Sequence, residues 1–258
     1  MSHKILVLSD LHLGEQSRDS RYIQFLQVLK TFINSDIQEL LLMGDVFDIL
    51  IGNKKFWKKI HPDFFEALNV AKSHNKQVTW VQGNHDFLLS NLVKPYNVKC
   101  IENHEILTRE NIVISVSHGD LADSSNKLHL LWRSFLNSKL LQLFVFLVPE
   151  FLAEKLFYPL TLKLSKTSRH FSKNKEYIDR ATTIFRKHAQ DLQKQYNADL
   201  VLLGHSHIFD DFNLQNDARY LNIASWYETP QLALIEINDR SFDIKVSPIS
   251  SWLESSSK

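Results

Sequence analysis

Five short segments of this 258-residue chain bring Asp, His and Asn together in spacings that suit metal chemistry: Asp10-Leu11-His12, Gly44-Asp45-Val46-Phe47-Asp48, Gly83-Asn84-His85-Asp86, His118-Gly119-Asp120 and Gly204-His205-Ser206-His207. Each follows a short apolar run. Taken singly, each has a plainer explanation, because Gly and Asn form turns and Asp caps helices. Five together point to one site. In the D-x-H and H-x-H pairs, alternate residues of an extended segment face the same side and can meet one ion. Imidazole, carboxylate and amide donors without thiolate suit Mn²⁺, Fe or Zn²⁺ rather than a structural zinc. A carboxylate can bridge two cations, and two ions roughly 3.5–4 Å apart activate a water and clamp a phosphate's oxygens. Gly44, Gly83, Gly119 and Gly204 are four of only six glycines. They leave room for tight turns beside the ions.

The elements that must position these turns read clearly in the first half. "KILVLS" (Lys4–Ser9), "ELLLM" (Glu39–Met43) and "QVTWV" (Gln77–Val81) are short apolar runs ended by polar residues, as in buried strands. Between them, Arg21 to Asn34 has helical periodicity with Ile23, Phe25, Leu26, Leu29 and Ile33 largely on one face, and Pro62 opens a second helix. The order strand, helix, strand, helix, strand predicts a largely parallel sheet covered by helices. Its C-terminal strand ends would form one ligand crevice. "NIVISVS" (Asn111–Ser117) and "ADLVLL" (Ala198–Leu203) precede the fourth and fifth turns, and "RYLNIAS", "QLALIEI" and "FDIKVS" read as closing strands. Asn126 to about Gln195 is almost wholly helical in composition.

The composition is that of a globular protein with a real core: 44% hydrophobic and 23% charged. A formal net charge of +1 gives no global electrostatic case for a nucleic-acid partner, and no basic stripe supports a nuclease. The single cysteine, Cys100, excludes an internal disulfide and fits a reducing compartment. No secretory signal is visible and no run reaches the roughly 18–20 apolar residues of a spanning helix. The expectation is a cytoplasmic protein that touches a membrane surface.

As a set, the five motifs resemble the calcineurin-like metallophosphoesterases, whose pattern is D-x-H, G-D-x-x-D, G-N-H-[DE], an H before G, and G-H-x-H in that order. The resemblance spans about residues 4–210. It implies one metallophosphoesterase domain over 1–258, an α/β four-layer sandwich of two sheets flanked by helices, with residues 126–196 as a helical cap insertion. It also implies the roles. Asp10, His12 and His207 hold one ion; Asn84, His118 and His205 hold the second; Asp45 bridges. His85 stabilises the phosphoryl transition state or protonates the leaving oxygen, and Asp86 orients its ring. Within this superfamily the chain is most similar to the UDP-2,3-diacylglucosamine hydrolases of lipid A synthesis. "GNHDFLL" is similar to their G-N-R-D-F-L-L and "DVFDILIG" to their D-L-F-E-x-W-I-G. That implies pyrophosphate cleavage with Mn²⁺, and substrate contacts from Asn84, His85, Asn126, Ser165, Arg169, Lys173 and His205. The chain departs from their pattern at His85, where they carry arginine, and in "LADSSNKLHLLWR" after the H-G-D motif.

Residues 127–164 crowd Leu, Phe, Trp and Tyr beyond the rest of the chain. A helix pair with its own small core, an acyl-chain groove, a membrane-contacting face and a dimer interface all fit that composition. Lys139, Lys155 and Lys163 border the apolar run, as contact with anionic head groups would need. Ser165, Arg169 and Lys173 recur every four residues on one helical face and could meet a diphosphate or a sugar. The function expected is hydrolysis of a lipid-linked nucleotide diphosphate, with the insertion against the cytoplasmic face of the inner membrane. The alternatives are a phosphatase or phosphodiesterase acting on another lipid-linked or soluble phosphoester, and a scaffold without catalysis.

Overall fold

The computed structural model describes residues 2–14, 20–52, 54–136, 138–155, 157, 159, 175–226 and 228–256. Ser165, Arg169, Lys173 and Lys163 lie outside the described residues. Two sheets stand face to face. The first has six strands in the order β13-β12-β1-β2-β4-β6 and the second five in the order β10-β11-β9-β8-β7. In the first, β1 (His3–Leu8), β2 (Glu39–Leu42), β4 (Gln77–Val81) and β6 (Val98–Ile101) run parallel. The hairpin of β12 (Gln231–Asn238) and β13 (Ser241–Pro248) adds antiparallel to β1. In the second, β8 (Ile112–Ser117), β9 (Leu200–Leu203) and β11 (Arg219–Asn222) are parallel. Antiparallel β7 (His104–Arg109) and β10 (Asp210–Asn213) form its edges.

The period-2 alternation of each strand explains the layering. Ile5, Val7, Leu41, Met43 and Val81 meet Ile114, Val116, Leu200 and Leu202 between the sheets. The alternate residues Leu6, Leu8, Leu40, Leu42 and Trp80 face outward. They pack against α1 (Ser20–Asn34), α3 (Pro62–Ser73) and α8 (Ile249–Ser256). Helix α7 (Lys175–Tyr196) covers the second sheet through Phe185, Ala189 and Leu192 against Val201, Leu203 and Tyr220. The result is helix, sheet, sheet, helix. Strands with both faces buried need near-continuous apolar runs, which is what β1, β2 and β9 carry.

The structure corrects several sequence expectations. The two-sheet sandwich is as the resemblance implies, but the motif-bearing strands, which the strand order alone placed along one sheet, are shared between the two: β1, β2 and β4 in the first, β8 and β9 in the second. Helix α1 buries Tyr22, Phe25, Val28, Leu29, Phe32 and Ile33, while Ile23 is 52% exposed. The buried stripe therefore lies one position round from the face read in the sequence. Helix α7, within the 126–196 segment, forms the outer layer of the second sheet. The rest of that segment is α5 (Lys127–Leu136), α6 (Lys139–Leu147) and a helical turn over 150–155, which lie outside the four layers and pack Leu136, Val145, Val148 and Ala153 against the main core. Ser138 caps α6 by accepting the Leu141 N–H, and Val148 turns extended ahead of Pro149.

One buried ion pair fastens the two sheets. Glu39 of β2 is fully buried and accepts from Arg109 Nε and Nη2 of β7 at 2.8 and 2.9 Å and from Thr79 Oγ1 at 3.0 Å; the His3 ring lies 3.3 Å away. Burial opposes its ionisation, but His3, Arg109 and Thr79 outweigh it and hold the carboxyl down to about 2. Because that lies below the ordinary value of 4.5, the carboxylate's contribution is present above about pH 4.5 and fades as pH falls toward 2. Arg109→Met strands the carboxylate. It should lower unfolding free energy by about 3 kcal/mol in urea titrations at pH 7, with a smaller difference from the wild type at pH 3.

Candidate metal centre

The turn after β4 shows how the site is assembled. Asp86 is fully buried, and its carboxylate accepts from four N–H groups: Gly83 at 2.7 Å, Val46 at 2.7 Å, Asp45 at 3.1 Å and the Trp80 indole at 3.1 Å. It therefore ties the turn after β2 to the turn after β4. Short parallel strands β3 (Leu50–Ile51) and β5 (Asp86–Phe87) continue that tie. The expectation that Asp86 orients the His85 ring is corrected, because its oxygens are taken up by those four donors. The His85 ring instead places Nδ1 2.6 Å from the Asp48 carbonyl oxygen, and its backbone N–H donates to Asp45 Oδ1 at 2.9 Å.

The candidate ligands then converge. Asp10, His12 and His207 each offer an atom within 4.8 Å of the others, and so do Asp45, His118 and His205. His207 Nε2 is 3.2 Å from Asp10 Oδ1 and 3.1 Å from His12 Nε2. His118 Nδ1 meets the Met43 carbonyl at 2.8 Å, which turns Nε2 toward Asp45 Oδ2 at 3.2 Å. Asn84 Oδ1 and His205 Nδ1 are buried polar atoms left without a hydrogen bond among the described residues. Buried polar atoms are costly to leave so, and an ion would satisfy both. His85 stands beside the centre, its ring 4.9 Å from that of His12.

Backbone conformation does what an extended segment was expected to do. Asp10, His12, His205 and His207 have φ of +50°, +45°, +65° and +56°, and Asp45 has +51°. Left-handed residues, not strand alternation, aim both members of each pair. Such φ values are uncommon outside glycine and cluster at functional sites. Supporting bonds hold them: Ser225 Oγ and Trp226 N donate to the Asp10 carbonyl, His205 N donates to the Asp10 carboxylate, and Asn222 Nδ2 donates to the Gly204 carbonyl.

The electrostatics favour positive charge at the centre. Burial opposes ionisation of Asp45 and Asp10, yet neighbouring imidazoles outweigh it and hold both carboxyls below the usual range. His118 is pulled up to about 10 against its burial, mainly by Asp45, while burial pushes His12 down to about 3 and His205 to about 4. Neutral, buried imidazoles beside ionised carboxylates are the state in which both bind divalent cations. Burial, then the Asp45 charge, pushes Asp86 up to about 7.

Asn126, expected to touch substrate, is exposed and its side-chain oxygen accepts the His129 N–H at the start of α5. Sequence reasoning missed Arg133 and His129. Arg133 is 1% exposed; it donates to the Gly83, Gln82 and Glu102 carbonyls and lies 2.7 Å from Asp120. The helix also carries Lys127 and Ser134, and nothing in its sequence marks Arg133 or His129 as turned toward the site.

The fold and the centre define a metal-dependent phosphoester hydrolase. The calcineurin-like phosphoesterase family matches residues 3–209, and the chain belongs to it. Full-length relatives point further in one direction. The chain is 25% identical over 248 residues to the UDP-2,3-diacylglucosamine hydrolase of Blochmanniella pennsylvanica, covering 93% of this chain and 94% of that protein. It is 22% identical to the enzyme so named from Psychromonas ingrahamii, over 95% and 98% of the two chains. The Photorhabdus laumondii hydrolase of that name is 23% identical, over 93% and 97%.

Gly83 leaves no room for a side chain, since a Cβ there would collide with Asp45 Oδ1 and its backbone nitrogen. Gly83→Ala should keep the fold, displace Asp45 and cut metal-dependent phosphodiester hydrolysis by about 10²-fold, as a 1 Å misplacement does. A circular dichroism melt alongside the assay checks both halves.

Proposed function

We propose that the protein hydrolyses the diphosphate of UDP-2,3-diacylglucosamine to UMP and 2,3-diacylglucosamine 1-phosphate, a step of lipid A synthesis. The observation that carries this reading is a phosphoesterase centre joined to an exposed apolar insertion. Leu128, Leu140 and Phe146 are 79%, 74% and 72% exposed, and most other exposed large apolar side chains fall between residues 128 and 152. Val145, Val148, Ala153 and Phe157 pack into the main core, so the insertion is seated along one edge and open on another. A soluble nucleotide substrate accounts for the centre alone. A lipid-linked one accounts for both. Among the described residues no helix is long and apolar enough to cross a membrane. In this reading the exposed rows of α5 and α6 rest on the cytoplasmic leaflet, with exposed Lys139 and Lys155 at the border meeting anionic head groups.

Asp10, His12 and His207 would hold one divalent ion and Asn84, His118 and His205 the other, with Asp45 between them. Oxygen and imidazole donors without sulfur suit Mn²⁺, with Fe or Zn²⁺ also compatible. When bound, such a pair supplies Lewis-acid polarisation of the phosphoryl oxygens and an activated water. The chain's own residues do the rest. The His85 ring, with Nδ1 held by the Asp48 carbonyl, has Nε2 left for a phosphoryl or leaving oxygen. Asp86 keeps Asp45 and His85 in register through the two turns it joins.

His85 also favours a second reading. A guanidinium grips a diphosphate with a planar fork, whereas an imidazole offers one donor. A different lipid-linked or soluble phosphoester would suit that smaller contact. The assay that separates the two follows UMP release from UDP-2,3-diacylglucosamine by Mn²⁺-loaded protein in mixed micelles. The expected result is metal-dependent UMP. Asp45→Ala should reduce it by more than the roughly 10–100-fold that an outer-shell change costs. Turnover of an aryl phosphodiester without UMP release would reject the lipid A substrate and keep the centre.

A further inference from the structure

Helix α5 reaches all three turns that carry the proposed ligands of the second ion. Arg133 donates Nη1 to the Gly83 carbonyl at 2.8 Å, the residue before Asn84. Its Nη2 reaches the carbonyls of Gln82 at 3.3 Å and Glu102 at 3.1 Å. Its Nε lies 2.7 Å from Asp120 Oδ2, two residues past His118. One helical turn earlier, His129 sets its ring 5.4 Å from the ring of His205, with Nε2 3.9 Å from the same Asp120 oxygen. A separate latch seats the insertion's far end. Buried Lys54 donates Nζ to the Val148 carbonyl, and Glu150 accepts the backbone N–H groups of Lys55 and Phe56. The Asp10 turn is held by Ser225, Trp226 and the backbone of the Asp45 turn, with no bond to α5 among the described residues.

We propose that Arg133 and His129 are positioning residues for the second ion, so that seating of the insertion and binding of that ion strengthen one another. The proposal rests on the dinuclear reading above and assigns the insertion a second task besides receiving lipid. A buried guanidinium donates to three carbonyls and pairs with a carboxylate only while α5 is docked. If α5 lifts, the carbonyls lose their donors, Asp120 loses its counter-charge, and the Asn84 and His118 turns relax. The coupling is reciprocal by thermodynamic necessity: an ion that orders the turns also holds α5 down. Covering the apolar face of the docked insertion with acyl chains or a membrane then tightens the ion that the chemistry needs.

The test titrates metal-stripped full-length protein with Mn²⁺ in a calorimeter. Wild type should bind two ions. Arg133→Lys keeps the charge but loses the fork, and should weaken one site about 10–100-fold with the other unchanged. His207→Ala, which removes a ligand of the first ion, shows which site is which, and His129→Gln should weaken the same site as Arg133→Lys by a smaller factor. Two unchanged sites, or equal weakening of both, overturn the proposal. A wild type that binds fewer than two ions overturns the dinuclear reading instead. Should Arg133→Lys fail to fold, hydrogen exchange on the wild type decides. Mn²⁺ should slow the α5 amides, and unaltered α5 exchange in the presence of bound ions overturns the coupling.

Discussion

The carboxylate of Asp86 is the contact on which the centre depends. A buried carboxylate is costly unless its lone pairs are filled, and here four N–H groups fill them. Two of the donors, Asp45 and Val46, belong to the turn after β2; Gly83 and Trp80 belong to β4 and its turn. The two turns thus share one floor, and neither can move without orphaning the other's donors. Asp45 is locked a second time, by the His85 N–H on its Oδ1. Gly83 is glycine because these turns close to within contact of its α-carbon. From that pair outward, the N–H groups of Asp10 and His12 bond to the Gly44 and Asp45 carbonyls, and His118 Nε2 faces Asp45.

What the fold then accommodates is strain and like charge together. Five of the proposed ligands sit at positive φ, a conformation that costs of order 1 kcal/mol or more each for residues with a side chain. Asp10 and Asp45 are ionised and almost fully buried, with imidazoles and a few N–H and O–H donors to face. Neither feature serves the sandwich itself, whose cores are apolar and continuous. Both make sense if a divalent cation completes the centre. The high proton affinity of His118 reports the same demand for positive charge.

The motif-bearing strands, the main helices and the polar turns could be read from residue types because buried parallel strands write themselves as apolar runs, and each of those runs ends in a polar motif. The choice of ligands among those residues came from the family resemblance. Less could be read where a side chain's partner lies far away in sequence. Asp86 looks like a companion to His85, its neighbour, but bonds to Asp45 and Val46, some 40 residues earlier. Asp10 and His12 look like alternating strand residues, yet left-handed φ values at both do the aiming. Edge strands β7 and β10, half-exposed and mixed in composition, carry no apolar run and left no trace. Arg133 is the sharpest case: nothing in "LLWRSFL" tells that its arginine is buried against four separate oxygens.

A hydrolase acting on a lipid-linked diphosphate must hold two incompatible solvents in one complex. The phosphoryl centre has to be polar and charged, and the acyl chains need apolar cover. On the reading proposed above, this chain would separate the two by a single helix. One side of α5 exposes Leu128, Leu131, Trp132 and Phe135; the other carries His129 and Arg133 into the polar wall of the metal centre. The apolar side cannot stay open in water without cost, roughly 25 cal/mol for each Å² left uncovered. The polar side cannot lose its guanidinium without leaving carbonyls unpaired. The first penalty is carried by the docked helix while it is uncovered and the second by an undocked one, so on the proposed reading lipid, helix and ions would be most stable when all are in place together.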